Sequence, residues 1–172
     1  MSSHQIITRT DTAKIEQLFE LVVVPTLLTA STPKDGQTAG VLEVCDQWGT
    51  VKVHVQTGTA SKRTFGELDA SANRQNLALH KHPGITTSWQ ARSVKQDIQP
   101  GAIRTPGDFR FAMAGFTWGP QQDSLLWLAK KLGLIGLSRA TKTARITGRQ
   151  REFARWCKKL DIAEQRLGLP SR

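Results

Sequence analysis

Val41-Leu-Glu-Val-Cys45, Asp46-Gln-Trp-Gly49 and Val51-Lys-Val-His-Val-Gln56 are the three consecutive stretches on which the reading of the fold turns. The first is a short apolar-rich strand. The last alternates Val51, Val53 and Val55 with Lys52, His54 and Gln56, the period of a strand with one buried face. The residues between them supply a turn, so the three together predict a hairpin and an antiparallel sheet. A further strand is expected within Phe109–Trp118, with Phe109, Phe111 and Met113 on one face.

Upstream of the hairpin, Asp11 opens a helical pattern in which Ile15, Leu18, Phe19 and Val22 share a face. The β-branched run Val22-Val23-Val24 and Pro25 should stop or kink it. Residues 29–39 and 57–64 read as loops. Residues 66–80 read as a helix burying Leu68, Ala72 and Leu79, broken at Pro83-Gly84. Residues 85–98 fit a strand or irregular structure. Pro100-Gly101 and Pro106-Gly107 frame a loop, and Gly119-Pro120 closes this part of the chain.

The remainder is helical. Leu125, Leu128, Ala129 and Leu132 form one face, and Gly133 can cap that helix. Ser138 is a suitable N-cap for a second helix reaching about Thr147, with Gly148 after it. Phe153, Trp156, Cys157, Leu160, Ala163 and Leu167 line a third, ended by Gly168 and Pro170. The expected architecture is α+β. An N-terminal helix with a small, mostly antiparallel sheet occupies residues 1–119, and a basic three-helix segment occupies 120–172.

Charge narrows the function. The 172 residues carry a net charge of +10. Residues 1–120 hold 12 Lys and Arg against 10 acids; residues 121–172 hold 12 against only 4. Solubility would not require that asymmetry, whereas a surface for a polyanion would. No apolar run approaches the roughly 20 residues that cross a bilayer. Met1-Ser2-Ser3-His4 lacks the start of a secretory signal. A soluble, cytoplasmic protein without a membrane partner is therefore expected, and reduced thiols at Cys45 and Cys157 fit that setting.

Leu128-Ala-Lys-Lys-Leu-Gly-Leu134 followed by Leu137-Ser-Arg-Ala-Thr141 resembles the helix-turn-helix of DNA-binding regulators. The small Ala129 lets the second helix approach, and Gly133 permits the backbone of the turn. By this resemblance, which covers about residues 125–147, Ser138, Arg139, Thr141 and Lys142 would lie at the major groove. The sequence departs from the motif at Ile135-Gly136, which lengthens the turn, and at Lys142, where the motif places an apolar residue. The resemblance implies DNA rather than RNA, and a homodimer reading two half-sites.

Independently of the motif, Arg151, Arg155 and Lys159 stand four apart on the third helix, with Lys158 adjacent. Lys142, Arg145 and Arg149 form a second stripe. Like charges at this spacing destabilise a helix by about 0.2–0.5 kcal/mol per pair, a repulsion that phosphates would relieve with release of counterions. With Lys130 and Lys131 these residues make up the expected nucleic-acid-binding set.

Among the tryptophans, Trp156 is expected in the core, while Trp127 and Trp48 are the exposed candidates for stacking on unpaired bases. His80-Lys81-His82, expected in a loop, lacks the nearby Cys or acid of a metal site. No phosphate-cradling glycine loop or hydrolase motif is present, so neither catalytic residues nor a cofactor are expected. The expected function is a non-catalytic DNA-binding regulator or accessory factor in transcription, replication or genome maintenance. One alternative is a structural component of a ribonucleoprotein or virion, anchored by the basic tail. Another is a metal-dependent nuclease that gathers Glu43, Asp46, Glu67, Asp69, Asp97 and Asp108.

Overall fold

The computed structural model describes residues 6–30, 38–92 and 98–169. The fold is α+β: among the described residues there are six α-helices and a four-stranded antiparallel sheet of order β2-β1-β4-β3. The hairpin forms, β1 (Gly40–Cys45) pairing with β2 (Val51–Thr57), and Val53 and Val55 are buried as the alternation requires; Val51 is exposed, beside the register shift at Val44 and Cys45. The second hairpin joins β3 (Ala102–Arg104) to β4 (Arg110–Ala114), and β4 pairs with β1 at the centre of the sheet.

Both central strands are buried on both faces, and this sets a three-layer arrangement. Leu42, Val44, Phe111 and Met113 face the larger core, with Phe109 beside them. Val41, Ala102, Ala112 and Ala114 face the other way, toward Ala72 and Leu79 of α3 (Lys62–Lys81). Helix α3 is longer than the 66–80 expected because the Ser61 hydroxyl accepts the Thr64 N–H and so starts it earlier.

The N-terminal helix departs from expectation at Pro25. Helix α1 (Arg9–Leu18) opens on a capping box between Thr8 and Asp11. It runs through a π-helical turn, Phe19–Val23, directly into α2 (Val24–Ala30). Proline has no N–H and its ring clashes with the carbonyl four residues back. The π turn absorbs the mismatch: the Val24 N–H reaches back five residues to the Phe19 carbonyl. The helix therefore continues where a stop or kink was expected.

Three further expectations are corrected. The loop framed by the two Pro-Gly pairs contains β3, which β4 pairs with across Thr105–Asp108. The strand expected to reach Trp118 ends at Ala114. Trp118 and Gly119-Pro120 instead form the first turn of α4 (Trp118–Lys131), where a missing N–H costs nothing. Residues 85–98 contribute a 3-10 turn at Ser88–Ala91 and a bridge from Thr87 to Ile103; positions 93–97 lie outside the described residues. Most of the 29–39 loop also lies outside them, although Thr29 and Ala30 close α2.

Helices α4, α5 (Leu137–Ile146) and α6 (Gln150–Arg166) pack beside the sheet. One continuous core joins Ile15 and Phe19, the inner face of the sheet, Leu125 and Leu128 of α4, and Phe153, Trp156 and Leu160 of α6.

Candidate nucleic-acid interface

Helix α6 is built to turn one side outward. Phe153, Trp156, Cys157, Leu160 and Glu164 are its buried positions. At 3.6 residues per turn, Arg151, Arg155, Lys158, Lys159, Ile162 and Arg166 then fall within an arc of about 100° on the opposite side, and all six are exposed. The helix also carries Glu152, Asp161 and Glu164. Two of these acids are spent inward. Lys131 Nζ lies 3.0 Å from Asp161 Oδ1 and 2.5 Å from Glu164 Oε2, and the Trp127 indole N–H donates to Asp161 at 2.9 Å. Burial alone would lower the Lys131 ammonium, but the bonds from Glu164 and Asp161 outweigh it and hold its pKa above the usual value. Among the described residues, none of the five outward cations of α6 has an acidic partner.

Helix α5 repeats the arrangement on a smaller scale. Ala140, Thr143 and Ala144 are buried, small enough for close approach to α4 and α6. Ser138, Arg139, Lys142 and Arg145 are exposed and Thr141 is half-buried. Arg145 Nε donates to Gln150 Oε1 at 2.9 Å, tying the end of α5 to the start of α6. From Ser124 to Arg151 the chain contains no carboxylate at all, so nothing local neutralises this helix.

The link between α4 and α5 explains both departures from the helix-turn-helix pattern. Gly133, at φ +70°, ends α4, with its N–H bonded to Lys130 O and the Leu134 N–H bonded to Ala129 O. Leu134 and Ile135 then enter the core, and Gly136 becomes the N-cap. The extra residues are thus an apolar anchor and a cap. Ser138, expected as the cap, is instead the second residue of the helix, with its side chain exposed. Lys142 faces solvent because Ala140, Thr143 and Ala144 fill the inward positions.

Two of the expected binding residues do not belong to the outward surface. Lys131 is held by Asp161 and Glu164. Arg149 is held by Asp123, its Nε and Nη2 donating to Oδ2 at 3.1 and 2.6 Å. Asp123 is fully buried, and burial pushes its carboxyl up to about 6 although the Arg149 bonds pull the other way. The guanidinium also lies 5.6 Å from the Trp118 ring centre. Lys130 is half-buried, and Lys159 lies 5.5 Å from the Trp156 ring centre. The remaining positions lie on the solvent side of their own helices, Ser138, Arg139, Thr141, Lys142 and Arg145 on α5 and Arg151, Arg155, Lys158 and Lys159 on α6. Arg166, which the sequence reading passed over, lies in the same arc; a strict spacing of four steps past it to Ala163 and Leu167, and only a spacing of seven from Lys159 reaches it.

The tryptophan expectations divide. Trp48 is 75% exposed at the hairpin tip, on a turn fixed by Asp46 Oδ1, which accepts the Trp48 and Thr50 N–H groups. Trp156 is in the core, donating to Ser124 Oγ at 2.7 Å. Trp127, expected to be exposed, is fully buried, because α6 covers that side of α4 as well. His80 and Lys81, expected in a loop, form the last turn of α3, with His82 as its C-cap. His80 Nδ1 lies 2.5 Å from Arg110 Nη1.

The acids weighed for a nuclease are dispersed among separate partners. Glu43 accepts from Asn76 at 2.8 Å, Asp46 faces Lys52, Glu67 faces Arg63, Asp69 faces His54, and Asp108 faces Arg104. Asp97 lies outside the described residues. Among the described residues, no three His, Cys, Asp or Glu are placed to share a metal ion. No described helix is long and apolar enough to cross a membrane. Comparison with known proteins finds no matching family model, no matching curated protein and no matching solved structure.

Proposed function

We propose that this protein binds nucleic acid without catalysis, DNA in preference to RNA, as a regulator or accessory factor in transcription, replication or genome maintenance. The observation that carries the reading is the outward arc of α6. Five cations stand there without an acidic partner among the described residues, while Asp161 and Glu164 of the same helix are turned inward. Long cationic side chains on a solvent-facing helix suit phosphates, and they give affinity without sequence information. Helix α5 differs. Its outward side mixes Arg139, Lys142 and Arg145 with the hydroxyls of Ser138 and Thr141, the kind of group that can reach base edges. The likeness of residues 125–147 to a helix-turn-helix supports DNA and a base-reading role for α5.

A salt series of binding to a labelled duplex tests this. The expected result is affinity that falls steeply with salt and is largely lost in the triple variant R151E/R155E/K159E. Weak binding with no salt dependence, or full affinity in the triple variant, would sink the assignment.

A further inference from the structure

The cationic arc of α6 does not end on open solvent. On the side of Lys159, Ile162 and Arg166 it borders a groove of about 390 Å³, closed on its far wall by Pro25, Thr26, Thr29 and Ala30 of α2. That volume lies within the roughly 300–1,000 Å³ of small-molecule sites. Its composition is layered. Ile162, which is 40% exposed, and Ala163 supply apolar surface from α6, and Pro25 supplies it from α2. Lys159 and Arg166 stand on the α6 side, neither with an acidic partner among the described residues. The Thr26 and Thr29 hydroxyls donate to the Val22 and Thr26 carbonyls, at 2.7 and 2.9 Å. Their oxygens therefore keep lone pairs for an incoming N–H.

The geometry points to a binding site for one unpaired nucleotide of a bound strand, its base in the α2–α6 groove and its phosphates on Lys159 and Arg166. This rests on the nucleic-acid reading above and deepens it. A duplex presents phosphates outward and keeps the apolar faces of its bases stacked inside, so it has nothing to place in an apolar groove. An unpaired nucleotide offers a flat apolar base and a phosphate a few ångströms apart, which matches the order of apolar and cationic groups here. Single-strand binders commonly combine a cationic track with aromatic platforms for bases; here the platform is aliphatic, supplied by Ile162, Ala163 and Pro25.

The test uses the full chain and three labelled 15-mers: oligo(dT), an abasic oligomer with the same phosphates, and a duplex. Oligo(dT) is expected to bind about threefold more tightly than the abasic strand, less than an aromatic platform would give. In Ala163→Leu, which fills the groove without adding a ring that could stack on a base, that ratio should fall to about one. Thr29→Leu, at an exposed position on the α2 wall, gives the same readout if the bulkier side chain at position 163 prevents folding. Equal affinity for oligo(dT) and the abasic strand in the unaltered protein overturns the site, as does a ratio that survives both leucine variants. Failure of all three probes to bind would instead overturn the nucleic-acid reading itself.

Discussion

Arg149 rests on the first two turns of α4, where three residues receive it. A Cβ on Gly119 would fall 2.5 Å from its Cζ, Trp118 offers a ring, and Asp123 accepts two of its N–H groups. Gly119→Ala should therefore displace the guanidinium, the flexible end of its side chain, and lower stability by about 1 kcal/mol through the weakened bond to Asp123, read from a melting curve. Asp123 makes a signed prediction. Its carboxyl titrates near 6 in the fold against an ordinary 3.8. Between those values the folded chain holds a proton that the unfolded chain has released, so this group's contribution to stability declines as pH rises from about 4 to about 6. Two pKa units correspond to about 3 kcal/mol. Asp123→Asn should remove that decline, and denaturant titrations of both proteins at pH 4 and pH 7 measure it; an unchanged difference between them would refute the buried, proton-holding carboxyl. In the sequence, Arg149 shared a spacing with Lys142 and Arg145, and Gly119 read as a breaker. Only the docking of α4 against the α5–α6 junction separates Arg149 from its neighbours, and spacing along one helix carries no information about that.

Helix α6 was legible because its apolar spacing is regular. Phe153, Trp156, Cys157 and Leu160 name the buried side, and the cations then fall on the other. If phosphates lie along that side, Arg155→Ala and Lys158→Ala should each reduce the slope of log affinity against log salt by about 1, leaving preference among duplex sequences unchanged. The caps were legible in part. Gly133 and Gly148 both carry φ +70° and end their helices as expected. Gly148→Ala should cost about 1 kcal/mol by forcing a side chain into that conformation, with little effect on binding per molecule folded. The turn at Phe19–Val23 was not legible. Pro25 announces a broken bond, but whether a helix kinks or widens depends on what packs around it. Here Phe19 and then the three successive residues Val22, Val23 and Val24 are all held in the core, and a widened turn is what keeps them there. Trp127 was misread for a related reason: α4 is buried along nearly all of its length, so a one-sided apolar pattern understated what covers it.

At the scale of the whole molecule, α4 binds the parts together through polar groups as well as apolar ones. Gln122 Oε1 accepts from Thr87 and its amide donates to Thr147, each at 2.8 Å, linking the 3-10 turn beside the sheet to the end of α5. Ser124 receives the Trp156 indole. A chain cut after residue 119 would leave the inner face of the sheet without Leu125, Leu126 and Leu128. The fragment 1–119 is expected to show no cooperative urea transition, whereas the intact chain unfolds in one. A sharp transition in the fragment would contradict a shared core. The α+β class could be read from the alternation at Val51–Val55 and the helical spacing after Leu125. The shared core could not, because Gly119-Pro120 has the local chemistry of a boundary and serves as a helix start.

Cys45 and Cys157 are both free and both buried, one in the central strand and one on α6. Burial, with the nearby Glu43 carboxylate adding to it at Cys45, raises the two thiols to about 12 and about 11. Neither sulfur offers a thiolate to an alkylating reagent while the chain stays closed. The rate at which each is alkylated thus becomes a stopwatch for opening, one set in the sheet and one in the helical layer, and agreement of the two would time the whole protein coming apart at once.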